Sequence, residues 1–227
     1  MWIKICANTS LEDAQLAAEL GADAVGFVFA PSPRQVTAAQ VAHITPHLPE
    51  GLEYVGVFPA LQAEEIAAAA QEAGLNAVQL HGGVSLHLIR QLDRIFNGQV
   101  KLIQTVHWDV NGGDASAAVV ARQLKEIVAD DIVGHVLIDS KLGAATGGTG
   151  VSYDWNAARA TFAEAGAGLK LIVAGGLHQD NVAEAIRRLD PWGIDVASGV
   201  EESPGHKSRE RLTAFIHAAR NATANIP

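Results

Sequence analysis

Short runs of β-branched and aromatic residues alternate along this chain with longer alanine-rich stretches whose apolar positions recur every three or four residues. The short runs predict strands at residues 2–6, 24–29, 53–58, 77–80, 101–106, 135–139, 170–174 and 193–197. The stretches between them predict helices starting near Ser10, Thr37, Leu61, Val84, Ser116, Trp155, Asp180 and Ser208. Thr37 and Gln40 have the spacing of a capping box, in which two side chains satisfy each other's orphan backbone donors. Gly-Ala-Asp-Ala-Val at 21–25 and Gly-Leu-Asn-Ala-Val at 74–78 read as one helix-to-strand turn used twice, with glycine at the left-handed stop. Asn111-Gly112-Gly113-Asp114 reads as a flexible loop after the fifth strand. Eight strand–helix pairs predict an α/β fold, a closed (β/α)8 TIM barrel, in a single domain over residues 1–227.

Composition narrows the class of protein. With 227 residues, 48% of them hydrophobic, the chain can bury a large core without disulfides. No apolar run approaches the roughly 18–20 residues of a membrane span, and the start lacks a charged-then-apolar leader. A cytoplasmic location is therefore expected. The net charge of −9 argues against nucleic-acid and membrane partners, which need clustered Lys and Arg, but leaves room for a small anion held by local dipoles.

In such a barrel the reacting groups belong at the C-terminal ends of the strands. Cys6, His81, Asp139 and Asp195 fall at or beside those ends. Lys4 alternates onto the face of Cys6, with Ile3 and Ile5 opposite, so Lys4 and Cys6 should point into the barrel. A buried lysine needs a carboxylate, and Asp195 on the eighth strand, next to the first after closure, is the candidate. Positive charge there would favour the thiolate of Cys6, the chain's single cysteine. Gly175-Gly176 and Ser198-Gly199, after the seventh and eighth strands, would leave backbone N–H groups uncovered at the usual phosphate position of these barrels. Blander readings exist: Cys6 as a small buried hydrophobe, Asp139 as a cap, the glycines as tight turns. His43 and His47 have metal-like spacing, but Pro46 interrupts their turn and no third ligand is evident, so no metal is expected.

Together these residues resemble the phosphoribosylanthranilate isomerase family of tryptophan biosynthesis. The resemblance rests on Lys4-Ile5-Cys6, Gly26-Phe27-Val28-Phe29 leading to Ser32-Pro33-Arg34, Val78-Gln79-Leu80-His81-Gly82 and Leu137-Ile138-Asp139. It continues through Gly147-Gly148-Thr149-Gly150 with Asp154-Trp155, Ala174-Gly175-Gly176-Leu177, and Asp195 through Glu201. It spans nearly the whole chain. It implies an Amadori rearrangement of N-(5'-phosphoribosyl)anthranilate to 1-(2-carboxyphenylamino)-1-deoxyribulose 5-phosphate, without cofactor. It further implies Asp139 as general acid, Cys6 as general base, and Arg34 on the anthranilate carboxylate. His81 and Asp195 are further candidate substrate-binding residues, with a pocket-shaping role for His81 and a structural role for Asp195 also open, and the phosphate would lie on Gly148, Thr149, Gly150, Gly175, Gly176, Ser198 and Gly199. The chain departs from the family's usual pattern in carrying Ala7 where glycine follows the cysteine, and in a loop before Arg34 one residue shorter. Another phosphate-binding barrel isomerase, or a non-catalytic phosphometabolite binder, stays open on the residues alone, as does the oligomeric state.

Overall fold

The computed structural model describes residues 1–142, 145–146 and 152–224. Its elements are β1 (Trp2–Ile5), α1 (Leu11–Glu19), β2 (Ala24–Val28), α2 (Ala38–Ala42), β3 (Glu53–Phe58), α3 (Ala63–Glu72), β4 (Ala77–Leu80) and α4 (Leu86–Phe96). There follow β5 (Lys101–Asp109), α5 (Gly113–Asp130), β6 (His135–Leu142), β7 (Ala145–Thr146), α6 (Trp155–Ala165), β8 (Lys170–Val173), α7 (Val182–Leu189), β9 (Gly193–Val196), β10 (Glu201–Ser203), β11 (His206–Lys207) and α8 (Arg209–Ala224). Eight strands run parallel in the order β5-β4-β3-β2-β1-β9-β8-β6, and β5 pairs with β6 to close the barrel. Among the described residues no helix is long and apolar enough to cross a membrane.

Alternation sorts side chains between two apolar layers. Ile3, Ile5, Val25, Phe27, Val78, Ile138 and Val173 face outward against the helices. Trp2, Ala24, Val55, Ala77, Ile103, Leu137 and Ile172 form a smaller cluster inside. Trp2 stacks on Trp192 at 5.3 Å below this cluster, so the N-terminal end of the barrel is plugged. The interior is therefore filled at this end, and in barrels of this kind the ligand site lies at the opposite one.

Local signals behave as their chemistry requires. Thr37 and Gln40 form the reciprocal capping box before α2. After α1 the N–H groups of Gly21 and Ala22 donate to Ala18 and Ala17, and after α3 those of Gly74 and Leu75 donate to Gln71 and Ala70. Both glycines have positive φ, so the repeated pentapeptide is one Schellman turn used twice.

Three boundaries differ most from the sequence reading, and one of them is β6, which runs to Leu142 and not to Asp139. Helix α5 begins at Gly113 and not at Ser116, so only the first half of Asn111–Asp114 is a turn. Asp114 falls in the first helical turn, where its charge suits the dipole, and the Ser116 hydroxyl accepts from the Asp109 N–H at 2.8 Å. Strand β5 runs to Asp109, because Trp108 continues the outward apolar face and stacks on Tyr153 at 5.4 Å.

Candidate active site

Above the apolar interior cluster lies a polar layer. Lys4 on β1 and Asp195 on β9 are register partners, and Lys4 Nζ donates to Asp195 Oδ1 at 2.7 Å. Gln79 on β4 donates to Thr105 on β5 at 3.1 Å. Lys4 is fully buried. Burial alone would push its pKa down, yet the Asp195 carboxylate and the neighbouring Cys6 hold it above its ordinary value.

One step nearer the strand ends is a cleft of about 240 Å³. Cys6, Arg34, His81, Asp139, Gly175, Gly176, Asp195, Ser198 and Gly199 all line it. Gly148, Thr149 and Gly150 lie outside the described residues. A second cavity, of about 380 Å³, is lined by β5, Lys141 of β6 and residues at the start of α5, and holds none of the sequence-predicted residues.

Cys6 directly follows β1, and its backbone is clamped from both sides. Its N–H donates to Val196 at 2.8 Å and its carbonyl accepts from Lys207 Nζ at 2.5 Å. Asn8 binds the carbonyls of Ile5 and Gly26 just beyond. A Cβ at Gly26 would lie 2.7 Å from Cys6 Sγ, so glycine there leaves the thiol its space. Ala7 adopts φ +62, the left-handed region in which glycine is the comfortable residue. The expected thiolate does not follow from the surrounding charge. Burial raises the thiol pKa above its ordinary value, with Asp195 adding to it, and this outweighs the opposing pull of Lys4 and Lys207.

Asp139 has a different balance. Burial within β6, together with the Asp195 charge, pushes its carboxyl up to about 7, against a backbone hydrogen bond at Ser140 and the charge of Lys4. A carboxylic acid in that range can donate a proton at neutral pH.

Arg34 reaches the cleft despite its short loop, which is closed by the Val36 N–H donating to Val28 at 2.9 Å. Its Nε and Nη2 grip Glu201 at 2.7–3.0 Å. Glu201, on β10, also accepts from Lys207 of β11 at 3.2 Å. Burial would raise the Glu201 carboxyl, but the two cations hold it below its ordinary value.

Gly175 and Gly176 have positive φ, and a Cβ at Gly199 would lie 2.0 Å from the Leu177 carbonyl. The loops after β8 and β9 thus meet backbone to backbone.

This architecture has known counterparts. A family model for N-(5'-phosphoribosyl)anthranilate isomerase matches residues 3–218. The chain belongs to the N-(5'-phosphoribosyl)anthranilate isomerase family. It is 37% identical over 219 residues to the N-(5'-phosphoribosyl)anthranilate isomerase of Geobacter sp. (strain M21), covering 96% of this chain and 97% of that one. It superposes on the crystal structure of the Thermotoga maritima phosphoribosyl anthranilate isomerase with TM-score 0.82 at 33% identity, covering 97% of this chain and 99% of that one. A further phosphoribosyl anthranilate isomerase, 31% identical with TM-score 0.77 over 97% and 99% of the chains, was crystallised with reduced 1-(o-carboxyphenylamino)-1-deoxyribulose 5-phosphate.

Family membership removes the other phosphate-binding barrels left open by the residues alone. Three contributors escaped the sequence reading. Gln79 lines the cleft from β4, and Glu201 and Lys207 join Arg34 to the backbone of Cys6. The pairing of β10 with β11 brings Glu201 and Lys207 together, and that short hairpin lacks a strand-like run.

Proposed function

We propose that the protein catalyses the Amadori rearrangement of N-(5'-phosphoribosyl)anthranilate, the isomerisation for which its relatives are named. The supporting observation is that Cys6 and Asp139, from strands on different sides of the barrel, open into one cleft.

Asp139 is the general acid. Its proton passes to the furanose ring oxygen as the bond from that oxygen to C1' breaks, leaving an iminium and an Asp139 carboxylate. Cys6 is the base. The iminium makes the C2' proton acidic, and its positive charge joins Lys4 and Lys207 in favouring the thiolate that removes this proton. The enolamine so formed tautomerises to the ketone. Proton gained by the ring oxygen and proton lost from C2' balance, so no redox partner is needed.

Arg34 binds the anthranilate carboxylate. Glu201 occupies Nε and one hydrogen of Nη2, which leaves the end-on edge formed by Nη1 and Nη2 with donors for a second carboxylate. Val28, Pro31 and Val57 line the cleft as well, an apolar surface suited to the aromatic ring. The phosphate rests on the backbone of Gly175, Gly176, Ser198 and Gly199. His81 and Asp195 shape the space between.

The test is consumption of freshly made phosphoribosylanthranilate by purified protein, followed as loss of its fluorescence. Turnover that disappears in both Cys6→Ser and Asp139→Asn supports the reading. Folded protein that binds the substrate without consuming it would make the chain a binder.

A further inference from the structure

Three side chains able to ligate a metal converge beside the cleft, and the isomerisation proposed above asks only one of them for a proton. His81 follows β4, His107 lies in β5 and Asp139 in β6, so three adjacent strands each contribute one. His107 and Asp139 are register partners. One ligand atom from each residue lies within 4.8 Å of the other two. The His81 and His107 rings meet edge to face, 4.7 Å apart at 85°.

The hydrogen bonding of His107 prepares it as a ligand. Its Nε2 is 3.0 Å from the His81 carbonyl oxygen, and a carbonyl can only accept, so Nε2 carries the hydrogen. Nδ1 then keeps a lone pair, and that atom is buried without a hydrogen-bond partner among the described residues. A backbone carbonyl holding the far ring nitrogen is the usual outer support of a metal-binding histidine.

We propose that His81, His107 and Asp139 form a site for one divalent transition-metal ion, typified by zinc, that competes with the substrate. Two imidazoles and one carboxylate suit zinc, cobalt or nickel, whereas magnesium and calcium select all-oxygen sets. Zinc bonds of about 2.0–2.2 Å put tetrahedral ligand atoms roughly 3.3 Å apart. The three groups must therefore draw inward by at most about 1.5 Å, within reach of side-chain rotation. Three protein ligands leave a fourth position for water. Inhibition, unlike binding, rests on Asp139 being the acid, because a coordinated carboxylate has no proton to give.

The experiment uses chelator-stripped full-length protein. Cobalt(II) should produce visible ligand-field absorption saturating at one ion per chain, and zinc, titrated against a chromophoric chelator, should displace it. His107→Gln keeps the volume and can still donate to the His81 carbonyl, but should weaken zinc binding by about 100-fold or more. Circular dichroism checks its fold. His43→Ala with His47→Ala should bind zinc as the parent does. Equal zinc affinity in the parent and His107→Gln, or no cobalt spectrum, overturns the site. Binding that is lost in His107→Gln but leaves parental turnover untouched would keep the site and remove Asp139 as the acid.

Discussion

Lys4 and Asp195 face each other in register across β1 and β9 at 2.7 Å, forming a buried ion pair in the layer beneath Cys6 and Asp139. The pair couples stability to chemistry, because Asp195 raises Asp139 while Lys4 lowers it. Lys4→Met keeps most of the stem but strands a buried carboxylate, and should cost about 3–5 kcal/mol in urea unfolding. Adding Asp195→Leu should recover most of the loss, since an apolar pair of similar volume replaces a buried ion pair at little cost. A single-variant loss below about 1 kcal/mol would show that water reaches the pair.

Cys6→Ser and Asp139→Asn should each lower kcat by about 10²–10⁴-fold with little change in unfolding midpoint, since both substitutions are nearly isosteric. Serine is a far weaker base, and asparagine keeps the shape of the acid without its proton. Asp139→Asn should still bind a product analogue. If it does not, Asp139 positions the substrate and another group supplies the proton.

The pH profile follows from the order of the two pKa values. Asp139 lies at about 7 and Cys6 above its ordinary 9.0. The active form, acid protonated and base ionised, is then the minor arrangement of a singly protonated pair, flanked by Lys4, Asp195, Tyr153 and Lys207. Its share grows as pH rises to about 7, stays level, and falls once the thiol ionises. With chelator present, kcat/KM should trace that shape, and the limb near 7 should be missing from the residual activity of Asp139→Asn. A profile that falls through 7 would mean that Cys6 is already a thiolate there.

The barrel was legible because each strand–helix unit repeats one local grammar, down to the identical turns at Gly21 and Gly74. The cleft residues were legible where their position at or beside a predicted strand end is itself the signal, as for Cys6, His81, Asp139 and Asp195. His107 was not, because β5 read by its apolar run stops at Val106, and the outward Trp108 that extends it is explained only by Tyr153, 45 positions away in the chain. Glu201 and Lys207 were hidden for a similar reason. Their partners, Arg34 and the Cys6 carbonyl, come from the far end of the sequence, and no local pattern encodes such a contact. The sign of the Cys6 shift was misjudged because counting charges in a sequence omits desolvation, here the largest cause.

Ala7 holds a left-handed backbone next to the Cys6 thiol, and opposing effects on its replacement nearly cancel. Glycine would relieve about 1–2 kcal/mol of steric cost. It would add about 0.5–1 kcal/mol of chain entropy and lose a buried methyl worth about 0.8 kcal/mol. Ala7→Gly should therefore match the parent within about 1 kcal/mol and turn over normally. Ala7→Val, β-branched at the same φ, should lose about 2 kcal/mol or more. Thermal melts of the three proteins decide, and a valine variant as stable as the parent would show that the loop adopts another conformation in solution.

Arg34 is the residue proposed to hold the anthranilate carboxylate, and its grip on Glu201 makes three variants informative together. Arg34→Ala should weaken substrate binding by about 1.5–3 kcal/mol, the range for hydrogen bonds to a charged group, or about 10- to 150-fold. Arg34→Lys should recover only part of this, because an ammonium cannot offer two donors in one plane. Glu201→Gln should raise KM less than Arg34→Ala does, since it loosens the guanidinium without removing it. All three effects should largely vanish for an analogue lacking the carboxylate, measured as a competitive inhibitor against the same substrate. Equal losses with and without that carboxylate would assign Arg34 to holding the β2–α2 loop on the β10–β11 hairpin, and the anthranilate to another donor.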